Sequence, residues 1–249
     1  MLKIEGISKH FGGVWALKDC RLETRDRPIV GLIGPNGSGK TTLFHVITGF
    51  YRPDAGAVTF EGEPIQGLPT HEIVRKGIGR TFQISRIFES LSLMDNLLIA
   101  RRKVTGERVL PLFTRWKEVR EEEDRARDWA LSLLSLMGLE GMTGEPAGNL
   151  SYGQRKLLEL ARTLMLNPSL ILLDEPAAGI NPTLIRKILA VIRALKGKGK
   201  RFLIIEHNMD VIIELCDWVF VLDAGAVIAE GPPAIIRDDP RVLEAYFGK

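Results

Sequence analysis

Apolar residues in this chain fall into short blocks separated by turn residues, and the period of the blocks changes along the sequence. Leu2-Lys3-Ile4 and Ala16-Leu17 read as short strand-like runs. The unbroken run Ile29 to Ile33 predicts a buried strand, because a strand covered on both faces shows no alternation. A Gly-rich turn from Gly34 to Gly39 interrupts it, and Lys40 to Ile47 then reads as a helix. Arg52-Pro53-Asp54-Ala55-Gly56 is a turn, and Val58-Thr59-Phe60 a strand after it.

The middle of the chain takes a helical period. Between Trp116 and Leu139, Val119, Ala126, Ala130, Leu133, Leu134 and Met137 share one face, and Gly138 is placed to end the helix. A second helix is predicted from about Gln154 to Leu166, before Asn167-Pro168. Buried strands follow at Leu170 to Leu173 and Phe202 to Ile205, with a helix at Leu184 to Leu195 between them. Val219 to Leu222 and Val227-Ile228 close the sheet region, and the last residues read as a polar, Pro-containing tail. Strands and helices thus alternate at both ends around a helical insert, which predicts an α/β fold.

Composition adds little. With 249 residues, 45% hydrophobic and 26% charged, the chain suits a soluble globular protein with a sizeable core. A net charge of +3 is too small to argue for nucleic acid. Cys20 and Cys216 sit in no metal or redox spacing and read as buried, inert thiols in a reducing compartment. The opening MLKIEGISKHFGG has no apolar core of a secretory signal. Val211 to Ala229 is the most apolar long stretch, but Glu214, Asp217 and Asp223 exclude a membrane span there.

Two motifs carry chemistry. Gly34-Pro35-Asn36-Gly37-Ser38-Gly39-Lys40-Thr41 fits G-x-x-x-x-G-K-[ST] in full, between a strand and a helix. Its glycines let backbone N–H groups turn toward phosphate oxygens, and the helix start favours the same anion. Lys40 supplies positive charge for the β- and γ-phosphates of a nucleotide, Thr41 a hydroxyl for Mg²⁺, and Thr42 a reach to the α-phosphate. Asp174-Glu175 follows the buried strand Leu170 to Leu173, where open α/β sheets bind ligands. Asp174 is expected to bind Mg²⁺ and Glu175 to act as base toward the attacking water, their roles divided because neighbours on an extended segment point apart.

Leu150-Ser151-Tyr152-Gly153-Gln154 is locally a helix start, with Ser151 and Gln154 spaced as a capping box. The same run resembles the LSGGQ signature of ABC ATPases. The order of phosphate loop, glutamine, signature, acidic pair and histidine extends that resemblance over almost the whole chain. It implies a P-loop ABC ATPase fold: a RecA-like core with an antiparallel β subdomain in residues 1–83 and 168–249, and an inserted helical subdomain in 84–167. It implies further that Gln83 senses Mg²⁺ and the attacking water, that His207 contacts the γ-phosphate, and that Phe11, beside Val14, stacks on adenine. The loop Ala177-Ala178-Gly179-Ile180-Asn181 resembles the D-loop, with Asn181 where many relatives carry Asp. In such ATPases two subunits pack head to tail, so Ser151, Gly153 and Gln154 of one would close on the nucleotide held by Lys40 of the other.

Finer features resemble the bacterial branched-chain amino acid import ATPases: Phe11-Gly12-Gly13-Val14-Trp15-Ala16-Leu17, Arg80-Thr81-Phe82-Gln83, Tyr152 within the signature, and the ending Glu244-Ala245-Tyr246-Phe247-Gly248. Asn208 instead resembles the lipopolysaccharide-export branch, and uptake ATPases for urea and short amides look similar. The resemblance implies a peripheral subunit on the cytoplasmic face of the cell (inner) membrane. Its expected partners are a second ATPase of the same or a related kind, two membrane permeases, and indirectly a solute-binding protein. A soluble ABC ATPase of DNA repair is disfavoured, because the span from Gln83 to Leu150 is too short for a coiled coil. Apolar residues between Ile84 and about Asn96, with Phe88 and Met94 foremost, are expected to form part of a groove for a permease helix.

Overall fold

The computed structural model describes residues 1–81, 87–101 and 116–248. Gln83, Phe82 and Ile84 lie outside them. The described strands are β1 (Leu2–Phe11), β2 (Val14–Glu23), β3 (Ile29–Ile33), β4 (Ala55–Phe60), β5 (Glu63–Pro64), β6 (Ile78–Arg80), β7 (Leu170–Asp174), β8 (Arg201–Ile205), β9 (Trp218–Asp223) and β10 (Ala226–Gly231). The chain divides into two compact units. One comprises Met1–Arg80, Ser169–Gly179 and Ile192–Lys249; the other comprises Thr81–Pro168 and Ile180–Val191.

The first unit holds both sheets. A six-stranded sheet runs in the order β10-β9-β3-β8-β7-β6, parallel except for β10, which pairs antiparallel with β9. Its strands β3 and β7 are buried at every position, as their unbroken apolar runs require. An antiparallel sheet in the order β2-β1-β4-β5 shares its core: Ile4, Ile7, Leu17 and Val58 from this sheet are buried in one cluster with Leu32, Leu172 and Leu203 from the other. Because β3, β7 and β8 run in the same direction, their carboxyl ends bring three loops to one edge of the sheet.

The second unit is helical. Helices Leu93–Ile99, Trp116–Leu136 and Tyr152–Met165 pack on one another. Of the face predicted for the middle helix, Val119, Ala130, Leu133 and Leu134 are buried, and Gly138 follows its end at φ +59. Among the described residues no helix is long and apolar enough to cross a membrane.

The structure lengthens two elements and adds others that the hydrophobic pattern did not show. β1 and β2 are each ten residues long, because bulges between them break the alternation that would have shown their length. The seven-residue helices Thr70–Lys76 and Met209–Leu215 are too short to show a period. The polar, Pro-containing tail folds into helices Pro233–Arg237 and Pro240–Phe247. Proline at a first helical position lacks only an N–H that has no intrahelical partner there, so these prolines begin helices.

Candidate functional site

The phosphate loop leaves β3 at Gly34 and enters helix Lys40–Ile47 through Gly39. Glycine is required at both ends. A Cβ on Gly34 would lie 2.0 Å from the carbonyl oxygen of Leu222, and one on Gly39 would lie 2.3 Å from that of Ala16. Both residues also have positive φ, at +151° and +104°. Lys40 is buried, and its Nζ donates to the carbonyls of Gly34 (2.9 Å) and Pro35 (2.8 Å). Burial pushes its ammonium pKa down, and the carboxylates of Glu175 and Asp174 oppose that shift. Within the loop Ser38 is buried, whereas Asn36, Gly37 and Thr41 are exposed; Thr42 is half-buried. A glycine-built loop at a helix start that carries the Lys40 ammonium and the Thr41 and Thr42 hydroxyls suits a polyphosphate.

Asp174 ends β7, and its buried carboxylate takes a hydrogen bond from Arg80 at 3.0 Å. Glu175 does not continue the extended strand. It adopts φ +50°, and its N–H donates to Ile205 at 2.9 Å. The two acids are therefore separated by a left-handed turn, rather than by the alternation of an extended segment. That turn brings Glu175 Oε1 within 3.2 Å of His207 Nε2. Beneath them lies Glu206, whose role the sequence did not reveal. Its buried carboxylate accepts from the N–H of Ala177 (2.7 Å), His207 (3.1 Å) and Asn208 (3.4 Å). A glutamate beside an apolar strand, where a core residue fits the pattern, was the available signal.

Both asparagines that depart from the family pattern act as caps. Asn208 accepts from the N–H of Asp210 and Val211 at the start of helix Met209–Leu215, and Asn181 accepts from that of Leu184. An amide oxygen caps as well as a carboxylate does, so neither position needs a negative charge for its local structure. Cys20 and Cys216 are buried, and burial pushes each thiol up to about 12.

The signature belongs to the helical unit. Ser151 and Gln154 form the capping box, and Ser151 is exposed. Gly153 is buried, and a Cβ there would lie 1.7 Å from Leu184 Cδ2. Phe11 and Val14 face each other across the β1–β2 turn, both exposed, which removes a core role for Phe11. The Phe11 ring packs edge-on against Tyr51, with centroids 5.1 Å apart.

This arrangement of loop, acids and histidine accompanies a match of residues 17–178 to the ABC transporter family model. The chain belongs to the ABC transporter family. Its C-terminal residues 226–249 also match a model described as branched-chain amino acid ATP-binding cassette transporter. The high-affinity branched-chain amino acid transport ATP-binding protein BraF of Pseudomonas aeruginosa is 39% identical over 250 residues, covering 100% of this chain and 98% of that protein. A probable branched-chain amino acid transport ATP-binding protein, LivG of Archaeoglobus fulgidus, is 41% identical over 249 residues, covering 100% and 95%. A crystal structure of a nucleotide-free ATP-binding cassette from an ABC transporter is similar with a TM-score of 0.86 at 37% identity, covering 100% and 99%. A dimeric bacterial cassette is similar with a TM-score of 0.77 at 26% identity, covering 94% and 99%. The cassette thus has the P-loop ABC ATPase fold, and its resemblance to the branched-chain amino acid import ATPases holds along its whole length. It is an ATP-binding, ATP-hydrolysing component of a transport system.

Proposed function

We propose that this cassette energises the import of branched-chain amino acids or related small polar solutes, with Glu175 as the base of ATP hydrolysis. The contact between His207 Nε2 and Glu175 Oε1, 3.2 Å long, carries the catalytic part of the reading. It holds a carboxylate and an imidazole together at the strand edge that also bears the phosphate loop. The transported solute is inferred from the names of full-length relatives.

In this reading the loop residues Asn36, Gly37, Ser38, Gly39, Lys40 and Thr41, with Thr42, hold the phosphates, and Phe11 and Val14 support the adenine. The hydroxyl of Thr41 and the carboxylate of Asp174 are hard oxygen donors, the kind Mg²⁺ takes. They, with Gln83, would hold Mg²⁺, which supplies charge neutralisation at the β- and γ-phosphates. Glu175 accepts a proton from the attacking water, and His207 orients Glu175 and reaches the γ-phosphate. Ser151, Gly153 and Gln154 complete the site of a second cassette, identical or related. The pair works on the cytoplasmic face of the membrane with two permease subunits and, through them, a solute-binding protein.

The test is Glu175→Gln. It keeps the hydrogen-bonding shape and removes the base, so ATP binding persists. Turnover falls by about 10²–10⁴-fold, and a dimer accumulates with ATP. Lys40→Ala instead weakens nucleotide binding itself. Normal turnover in Glu175→Gln removes the assignment.

A further inference from the structure

The phosphate loop is anchored from the far end of the chain. Gly34, its first residue, donates its backbone N–H to the hydroxyl oxygen of Tyr246 at 2.8 Å, across 212 residues of sequence. Its backbone also lies close against Leu222, whose carbonyl leaves no room there for a Cβ. At the other end of the loop, the carbonyl of Ser38 accepts from the N–H of Gly225 at 3.0 Å, and the Gly225 carbonyl in turn accepts from Lys18 at 2.9 Å. The phosphate-facing stretch is therefore held between two fixed points, both supplied by residues 222–246. The first depends on a helix that nothing else in the site accounts for.

That helix is built to stay in place. Asp239 caps it by accepting from the N–H of Arg241, Pro240 occupies its first turn, and Val242 and Ala245 are buried. Tyr246 is half-buried, and burial raises its phenol pKa, so the hydroxyl is neutral at physiological pH. Phenylalanine would fill the same space without an acceptor for the Gly34 N–H.

We infer that Tyr246 is a positioning residue of the nucleotide site, through which the C-terminal helix fixes the entry of the phosphate loop. It follows that nucleotide binding and the order of this helix are linked, and the linkage is reciprocal: whatever the helix contributes to nucleotide affinity, bound nucleotide returns to the helix. The inference rests on nucleotide binding by the loop.

MgADP is the probe, with the full chain. Calorimetric titration of Tyr246→Phe is expected to give a Kd raised about threefold to tenfold over wild type, the effect of one lost hydrogen bond. Amide hydrogen exchange across 240–247 is expected to slow on saturation with MgADP in the wild type, and to slow less in Tyr246→Phe. An unchanged Kd in the variant, or wild-type exchange indifferent to nucleotide, overturns the inference. The wild-type exchange experiment needs no variant and decides the matter if Tyr246→Phe does not fold. Absence of MgADP binding by the wild type would overturn the nucleotide reading beneath it, a different failure.

Discussion

The guanidinium of Arg80 lies 3.0 Å from the carboxylate of Asp174, and both side chains are buried, at 5% and 4% exposure. Arg80 also donates to the Thr48 hydroxyl at 3.4 Å and lies 5.5 Å from the centre of the Phe44 ring. It ends β6, directly before the segment that carries Gln83. Removing one member of such a pair strands the other charge in a poor solvent. Arg80→Met should cost about 3–5 kcal/mol and lower Tm on the order of 10 °C. Asp174→Asn should relieve part of that loss when combined with it. Strictly additive melting shifts in the double variant would show that the pair is not coupled.

Glu206 yields a prediction about catalysis rather than stability. Its carboxylate gathers the N–H of Ala177 on one side and those of His207 and Asn208 on the other, so it ties the loop after Glu175 to the histidine that Glu175 meets. Hydrogen bonds to a charged acceptor contribute about 1.5–3 kcal/mol each. Losing that alignment in Glu206→Gln should lower kcat roughly 10- to 100-fold, with ATP affinity little changed. Single-turnover kinetics with a binding titration separate the two quantities. A weakened affinity at normal kcat would place Glu206 in binding instead.

How far these relationships were legible follows from their range. The phosphate loop and the acidic pair are contiguous in sequence, and a buried strand before each announced where they would sit. Glu175 was legible as a residue but not as a geometry: nothing in Asp174-Glu175-Pro176 signals φ +50°. Glu206 bonding back to Ala177, Arg80 meeting Asp174 and Tyr246 reaching Gly34 join positions 29, 94 and 212 residues apart. Such pairings are set by strand order, which periodicity does not encode. The C-terminal helices were hidden by prolines that normally punctuate loops and here occupy first helical turns.

His45 gives a pH dependence. It packs against Phe50 and Tyr51, half-buried, and burial with the nearby Arg80 charge pushes its imidazole pKa below the usual 6.5, partly opposed by Asp174. Between the lowered value and 6.5 the unfolded chain holds more protons than the folded one. Stability therefore rises with pH across that window, and below it the folded state carries a charged imidazole at full cost. Melting from about pH 5 to about pH 7.5 should show a steeper rise in wild type than in His45→Gln. Equal slopes would assign the dependence to other groups.

The last prediction concerns coupling to the membrane subunits. Phe88 is 47% exposed, whereas Leu93 and Leu97, farther along the same apolar segment, are fully buried; Met94 is half-buried. The backbone at Phe88 is fixed independently of its ring. Its N–H donates to Asn96 Oδ1 at 2.9 Å, and its carbonyl accepts from Asn96 Nδ2 at 2.9 Å. Arg162 lies 5.3 Å from the ring centre, so a carboxylate at this position would meet a cation and not an apolar wall. Phe88→Asp should accordingly leave the fold and the ATPase activity of the isolated cassette within about twofold of wild type, since exposed substitutions shift stability by only about ±0.5 kcal/mol. If Phe88 anchors a permease helix, a buried aromatic lost from the centre of an interface costs about 2 kcal/mol or more, and a charge left there adds to that. Co-purification with the permease and ATP-driven uptake in vesicles should both fail. Normal uptake by Phe88→Asp would remove this residue from the interface, and loss of folding would return it to the core.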